Sequence, residues 1–586
     1  MTLKAARVEI SINRRWGRLD PVWLSASEQS SHDHAHVQWN AHCSNGGMRP
    51  FALLVSTLAL SFFGCGGEGS ADDADEGALS RTGLERTLSF EGVVYAKPDA
   101  TETEIVRLAQ LQTKTAFGAL RTSGMMAQTR ELRNVQPATF QKRNVLVVDP
   151  QHPEAAGEAK VEVRYTYKDE VLVEEKLGER TSFGLAVLRP DWETEYQEPT
   201  RDCVANDREA RADARDGYLW YVFDPTLATC KRAIADEKRV IEADRATLSR
   251  AAQAAGIARA APAAAGEAVR IARSQANRRY IPINVALENK RAQRGAVYPE
   301  YDRLFRGGVE ANKLVVGFLV GRLEHHWVDA SKDGNYWEWM SALDTLFEAH
   351  PEFSLTKVEP ADDITKVTTT AGKTYTNLSI RDYINFAIYD RFPDGTSDAQ
   401  KRALALAAGR KLDQKWLTFE KKVKVAIGAE APRDFTIELR TYFGVEEQKE
   451  PYQRALKNSD VFVYNGHSFL GAGPLDPRNY QASDFPSSYQ LWFIDGCISY
   501  NYYNEGYFPL KGGSQNLDLI VNGMEADADY GGMAEAKLIS RLISGKQPSY
   551  KQLLEAAKQT DPLRIVEGEA DNKYRPTETK ITVAPR

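Results

Sequence analysis

The one early apolar stretch is too short to cross a bilayer: residues 51–63 (FALLVSTLALSFF) number 13, and a spanning helix needs about 20. Positive charge is not in surplus either. With 75 Lys and Arg against 81 Asp and Glu, a formal net charge of −6 and no basic tract, a mainly nucleic-acid-binding surface is excluded. No H-E-x-x-H occurs, and His152, His325, His326 and His350 are scattered apart from one adjacent pair, so no zinc site, other metal site or cofactor is expected. Cysteine is scarce, with five in 586 residues, so each one can be followed individually. The length exceeds what a single core usually supports, and more than one domain is expected.

The short apolar run follows Met48-Arg49 and ends at Gly64-Cys65-Gly66-Gly67. A basic start, a short apolar stretch and a small exit residue are the anatomy of a secretory signal. Residues 1–47, which hold His32, His34 and His36 and show no periodicity, read as a doubtful or disordered leader, with translation beginning at Met48. Phe62-Phe63-Gly64-Cys65 resembles the bacterial lipobox, with Phe62 where Leu is usual. That resemblance implies a signal peptide over 48–64, lipid on Cys65 and a flexible tether over 65–87, placing the protein on the cell envelope, at the outer membrane, facing periplasm or cell surface. Cys43 lies in the leader and Cys65 would carry lipid; Cys203 and Cys230 are then the pair left to oxidise outside the cytoplasm. Cys497 has no partner. An unpaired thiol in an exported protein is intermolecular, accidentally buried or reactive.

Residues 88–231 favour strands, at 93–95, 145–148, 160–167 and 218–223, with helices near 102–120 and 208–216, which predicts an α+β accessory domain. Residues 232–300 contain an Ala/Arg-rich stretch expected to be a helical linker, exposed and easily cut. From 301 to 586 apolar strands (313–320, 435–443, 461–464, 491–494, 517–521) alternate with amphipathic helices, which predicts an α/β domain with a parallel sheet and its functional loops beyond the strands' carboxyl ends.

Two of those ends carry chemistry. Val461-Phe462-Val463-Tyr464-Asn465-Gly466-His467-Ser468 ends in a histidine, and Gln490-Leu491-Trp492-Phe493-Ile494-Asp495-Gly496-Cys497 ends in a cysteine. On neighbouring strands, an imidazole can take the thiol proton and leave a thiolate to attack a carbonyl. These blocks resemble those of the clan CD cysteine peptidases, the caspases, metacaspases, clostripain and gingipains, and most nearly gingipain. The resemblance covers roughly residues 305–565. It implies a caspase–hemoglobinase-like three-layer α/β/α domain that hydrolyses peptide bonds in a protein or peptide substrate, with Cys497 as nucleophile, His467 as general base, and the backbone N–H groups of Ser468 and Cys497 as oxyanion hole. Ser468 stands where the family has Gly. Asp495 would favour Arg or Lys at the cleaved position, although an Asp there reads equally well as a loop cap.

Gly466-His467-Ser468-Phe469-Leu470-Gly471 nearly spells a hydrolase nucleophile elbow, but Leu470 occupies a small-residue position, Pro474 and Pro477 stand where a helix is needed, and no histidine follows His467. The alternative of another class is a non-catalytic lipoprotein, a degenerate peptidase fold acting as a binding module.

Overall fold

The computed structural model describes residues 83–122, 125–127, 135–174, 180–190, 198–256, 268–289, 296–324, 328–503, 506–526, 531–557 and 563–586. The leader, the signal, Cys65, most of the tether, His325 and His326 lie outside these residues.

The first sheet has seven strands, β1 (Gly83–Ala96), β2 (Met125–Ala127), β3 (Gln141–Val148), β4 (Glu158–Glu174), β5 (Ser182–Leu188), β6 (Val269–Ala272) and β7 (Tyr280–Asn289), in the order β5-β7-β1-β4-β3-β6 with β2 against β4. Helix α1 (Glu102–Thr122) packs on it because Ile105, Ala109, Ala116 and Leu120 recur at helical spacing and meet Leu88, Phe90 and Val94 of β1. Helix α2 (Ala228–Ala254) fulfils the helical part of the expected linker.

Three expectations are corrected here. The tether gives way to strand at Gly83, where β1 pairs with β4. The linker region is not helical throughout, since β6 and β7 return to the first sheet; in β7 Ile281, Ile283, Val285 and Leu287 are buried and the residues between them exposed, the period-two pattern of a half-buried strand. Residues 218–223, expected as a strand, contain a helical turn at Leu219–Val222 instead, for Gly217 (φ +93°) turns the chain and the aromatics pack on α1, with Phe117 and Trp220 ring centroids 5.6 Å apart. Cys203 and Cys230 form a disulfide, 27 positions apart. Closing that loop is worth about 3.5 kcal/mol of chain entropy. Cys203→Ser with Cys230→Ser is therefore expected to lower the urea midpoint measurably, and reductant to have the same effect on the parent.

The second sheet contains β8 (Lys313–Gly321), β9 (Ser354–Glu359), β12 (Lys415–Ile427), β13 (Arg433–Gly444), β14 (Val461–Asn465), β15 (Gln490–Asp495), β16 (Leu517–Asn522), β17 (Arg564–Glu567) and β18 (Ile581–Pro585); β10 (Val367–Thr368) and β11 (Thr374–Tyr375) form a separate ribbon. The order is β17-β16-β15-β14-β8-β13-β12-β18, with β9 on β12. Strands β13, β8, β14, β15 and β16 run parallel, as expected, and antiparallel strands flank them.

Alternate residues feed two cores. Val461, Val463, Leu491 and Phe493 face helices α3 (Gly334–Ala349), α4 (Ile380–Ile388) and α5 (Asp398–Leu412) and further helices on the same side; Phe462, Tyr464, Trp492 and Ile494 face α6 (Lys449–Asn458) and α7 (Ser499–Tyr503). Helix α8 (Gly531–Leu542) and helix α9 (Tyr550–Ala556) complete the first of these layers. Burial on both sides explains why β14 and β15 read as continuous apolar runs. Among the described residues no helix is long and apolar enough to cross a membrane.

Candidate active site

The strand order reverses at β8, whose neighbours are β13 on one side and β14 on the other. Parallel sheets open a crevice at such a reversal, beyond the carboxyl ends. The ends gather there in register: Asn465 of β14 pairs with Asp495 of β15, and His467 and Cys497 each stand two positions further on. The two turns touch through glycine. A Cβ on Gly496 would lie 3.1 Å from the Gly466 carbonyl oxygen and 3.6 Å from the Ser468 nitrogen, so a side chain at 496 would push the Cys497 turn away from the His467 turn.

The imidazole of His467 is oriented. Its Nε2 lies 3.0 Å from the Leu323 carbonyl oxygen. A carbonyl only accepts, so Nε2 carries the proton, and in the neutral ring Nδ1 carries the lone pair that could take a thiol proton. Leu323 is itself held, because Asp333, which caps α3, accepts the N–H groups of Leu323 and Glu324 at 3.0 and 2.8 Å.

Beneath the histidine lies a residue that the sequence patterns did not single out. Glu446, two positions past β13 and fully buried, accepts the His467 backbone N–H at 2.9 Å and the Tyr464 hydroxyl at 2.5 Å on Oε1. Its carboxylate fits because Gly466 and Gly321 both lack a side chain, either of which would collide with Oε1. Burial pushes the Glu446 carboxyl up to about 7, a rise that the neighbouring His467 and the hydrogen bonds from Tyr464 and the His467 backbone partly offset. The signal that could have found it was its place at the same sheet edge as His467.

The folded carboxyl of Glu446 holds its proton more tightly than an ordinary one near 4.5. Between about pH 4.5 and about 7 the unfolded chain binds fewer protons there than the folded chain, so this group's contribution to stability falls as pH rises through that window. Glu446→Gln keeps one acceptor oxygen and removes the titration. Its denaturation midpoint is expected to vary less over that window than the parent's.

Cys497 is unpaired and partly buried and, like Trp220, Tyr221 and Met524, packs against an apolar cluster that includes Trp492, Ile494 and Ile498. Its Sγ–H points to the Ala526 carbonyl oxygen at 3.9 Å. Burial pushes the thiol up to about 11; the Ala526 contact opposes this, while the charges of Glu525 and Asp495 add to it. The next residue, Ile498, adopts φ +54°, and its N–H is held by the Met524 carbonyl at 2.9 Å. A β-branched side chain in that region costs about 1–3 kcal/mol and marks a turn that the surroundings enforce.

Ser468 is buried, and its carbonyl accepts from the Tyr503 hydroxyl at 2.7 Å. Asp495 does not reach an open face. It is buried, its Oδ2 accepts from Arg564 at 2.7 Å and its Oδ1 from Asn522, so a basic substrate side chain would have to displace Arg564. Among the described residues no group of three or more His, Cys, Asp or Glu converges on a metal-sized site. No family model, curated protein or solved structure matches the chain.

Proposed function

We propose that the chain is a cysteine endopeptidase of the caspase–gingipain type, with a caspase–hemoglobinase-like catalytic domain. The observation that carries this reading is the registered placement of His467 and Cys497 past adjacent parallel strands at the sheet's reversal point. His467 Nδ1 takes the Sγ proton while Leu323 holds Nε2–H; the thiolate adds to the scissile carbonyl carbon. The N–H groups of Ser468 and Cys497 bind the oxyanion, the carbon–nitrogen bond breaks, and the imidazolium protonates the departing amine. His467 then takes a proton from water, whose oxygen attacks the thioester and regenerates Sγ–H. The signal-like run and the lipobox resemblance at Cys65 support a lipid-anchored protein of the cell envelope, possessing a membrane partner only through that lipid.

The covered thiol, raised to about 11, favours the second reading, a non-catalytic binding module on the same fold. Digestion of a proteome-derived peptide library separates the two. The digestion is run on the parent and on Arg121→Ala/Tyr221→Phe, which removes the two donors that hold Glu525 in the loop beside Cys497. New termini should form in at least one of these backgrounds and be missing when Cys497→Ala is added; terminus sets identical with and without Cys497→Ala in both backgrounds would refute the peptidase reading.

A further inference from the structure

The loop that covers Cys497 is held from two directions. On the catalytic side Met524 O accepts the Ile498 N–H, Ala526 O accepts the thiol, and Gly523 N–H donates to Leu563 O at 3.0 Å. On the other side every contact comes from the first-sheet region. Arg121, in the last turn of α1, donates Nη1–H to Glu525 Oε1 at 2.5 Å, and the Tyr221 hydroxyl donates to the same oxygen at 2.9 Å. The Arg121 guanidinium lies 4.5 Å from the Tyr221 ring centroid, so the two donors brace one another. Leu172 of β4 closes on the loop's first residue: a Cβ on Gly523 would sit 2.6 Å from Leu172 Cδ2. Phe117 and Leu172 belong to the same apolar cluster as Trp492 and Ile494 of β15.

These contacts have a chemical consequence. The loop's packing keeps water from the sulfur, which disfavours the thiolate, and Glu525 on the same loop adds negative charge there. Both features depend on where residues 523–526 stand. We propose that the first-sheet region is a built-in inhibitor, in which Arg121 and Tyr221 clamp Glu525 and so hold the 523–526 loop over Cys497, keeping its sulfur protonated and covered until the clamp is released. The role of this clamp in catalysis rests on the peptidase reading; the cover itself does not, and is measurable on the thiol directly.

The test is the second-order rate of Cys497 carboxamidomethylation by iodoacetamide, read by mass spectrometry of the Cys497 peptide from the full chain. In Arg121→Ala/Tyr221→Phe the rate should rise at least about tenfold, because two hydrogen bonds to a charged oxygen are lost. Arg121→Lys, which keeps the charge, should stay within about threefold of the parent. Should the double variant fail to fold, the parent itself decides. The Arg121–Glu525 pair has side chains 21% and 36% exposed, so raising NaCl from about 0.05 M to about 1 M screens it and should speed alkylation. Equal rates in parent and folded double variant, or salt-independent alkylation of the parent, overturn the clamp and leave the peptidase reading standing. A rise that persists unchanged when His467→Ala is added supports the clamp and removes the dyad instead.

Discussion

Cys497→Ala and His467→Ala are each expected to lower kcat/KM for peptide hydrolysis by about 10⁴-fold or more, with folding left intact. Nucleophile and base act as one unit, so the double variant should be no worse than either single one. Small structural cost is expected because Cys497 and His467 are each only partly buried. Cys497→Ser separates packing from chemistry, since it keeps the shape and loses the easily ionised group. The measurement is steady-state hydrolysis of a peptide found by the library, with a circular-dichroism melt for each variant. Additive losses in the double variant would mean that the two side chains work independently.

Arg564→Leu is expected to give the largest loss of stability. Arg564 and Asp495 have side chains 6% and 1% exposed, joined at 2.7 Å between β17 and β15. The guanidinium also donates to the Ala557 carbonyl at 2.7 Å and lies 5.0 Å from the centre of the Phe493 ring. Glu535 of α8 sits fully buried beside Asp495, and burial first, then the Asp495 charge, hold its carboxyl well above the ordinary range. Glu535 therefore tends to keep its proton beside Asp495, and the guanidinium faces Asp495. Removing the guanidinium leaves an uncompensated carboxylate in apolar surroundings and is expected to cost about 3–5 kcal/mol, read as a drop in urea midpoint. Arg564→Lys, which keeps the charge, should recover part of that deficit; an equal loss in both variants would show that packing, not charge, was lost. The same pair explains why Asp495 suits the sheet better than a substrate: its lone pairs are already taken.

The parallel strands and the His467 and Cys497 turns were legible because both faces of β14 and β15 are buried, which writes an apolar run ending abruptly in a polar residue. Strand β7 was missed although Ile281, Ile283, Val285 and Leu287 alternate along it, because Pro282 interrupts the run and an Ala/Arg-rich helical stretch precedes it. The turn at 219–222 was misread because aromatic residues suit a strand or a helix packed on α1 equally well. Glu446, Asp333 and Leu323 escaped because they act on His467 across strands or loops distant in sequence. Arg121 and Glu525 are 404 positions apart, and no local pattern joins them.

The dyad is tested most directly on the clamp-released protein, Arg121→Ala/Tyr221→Phe, by following Cys497 alkylation from about pH 5 to about pH 9 with and without His467→Ala. An imidazole that accepts the thiol proton should make alkylation already fast near neutral pH and make that speed depend on His467 by at least about tenfold. Alkylation that climbs only toward alkaline pH, at the same rate in both proteins, would contradict a Cys497–His467 catalytic pair.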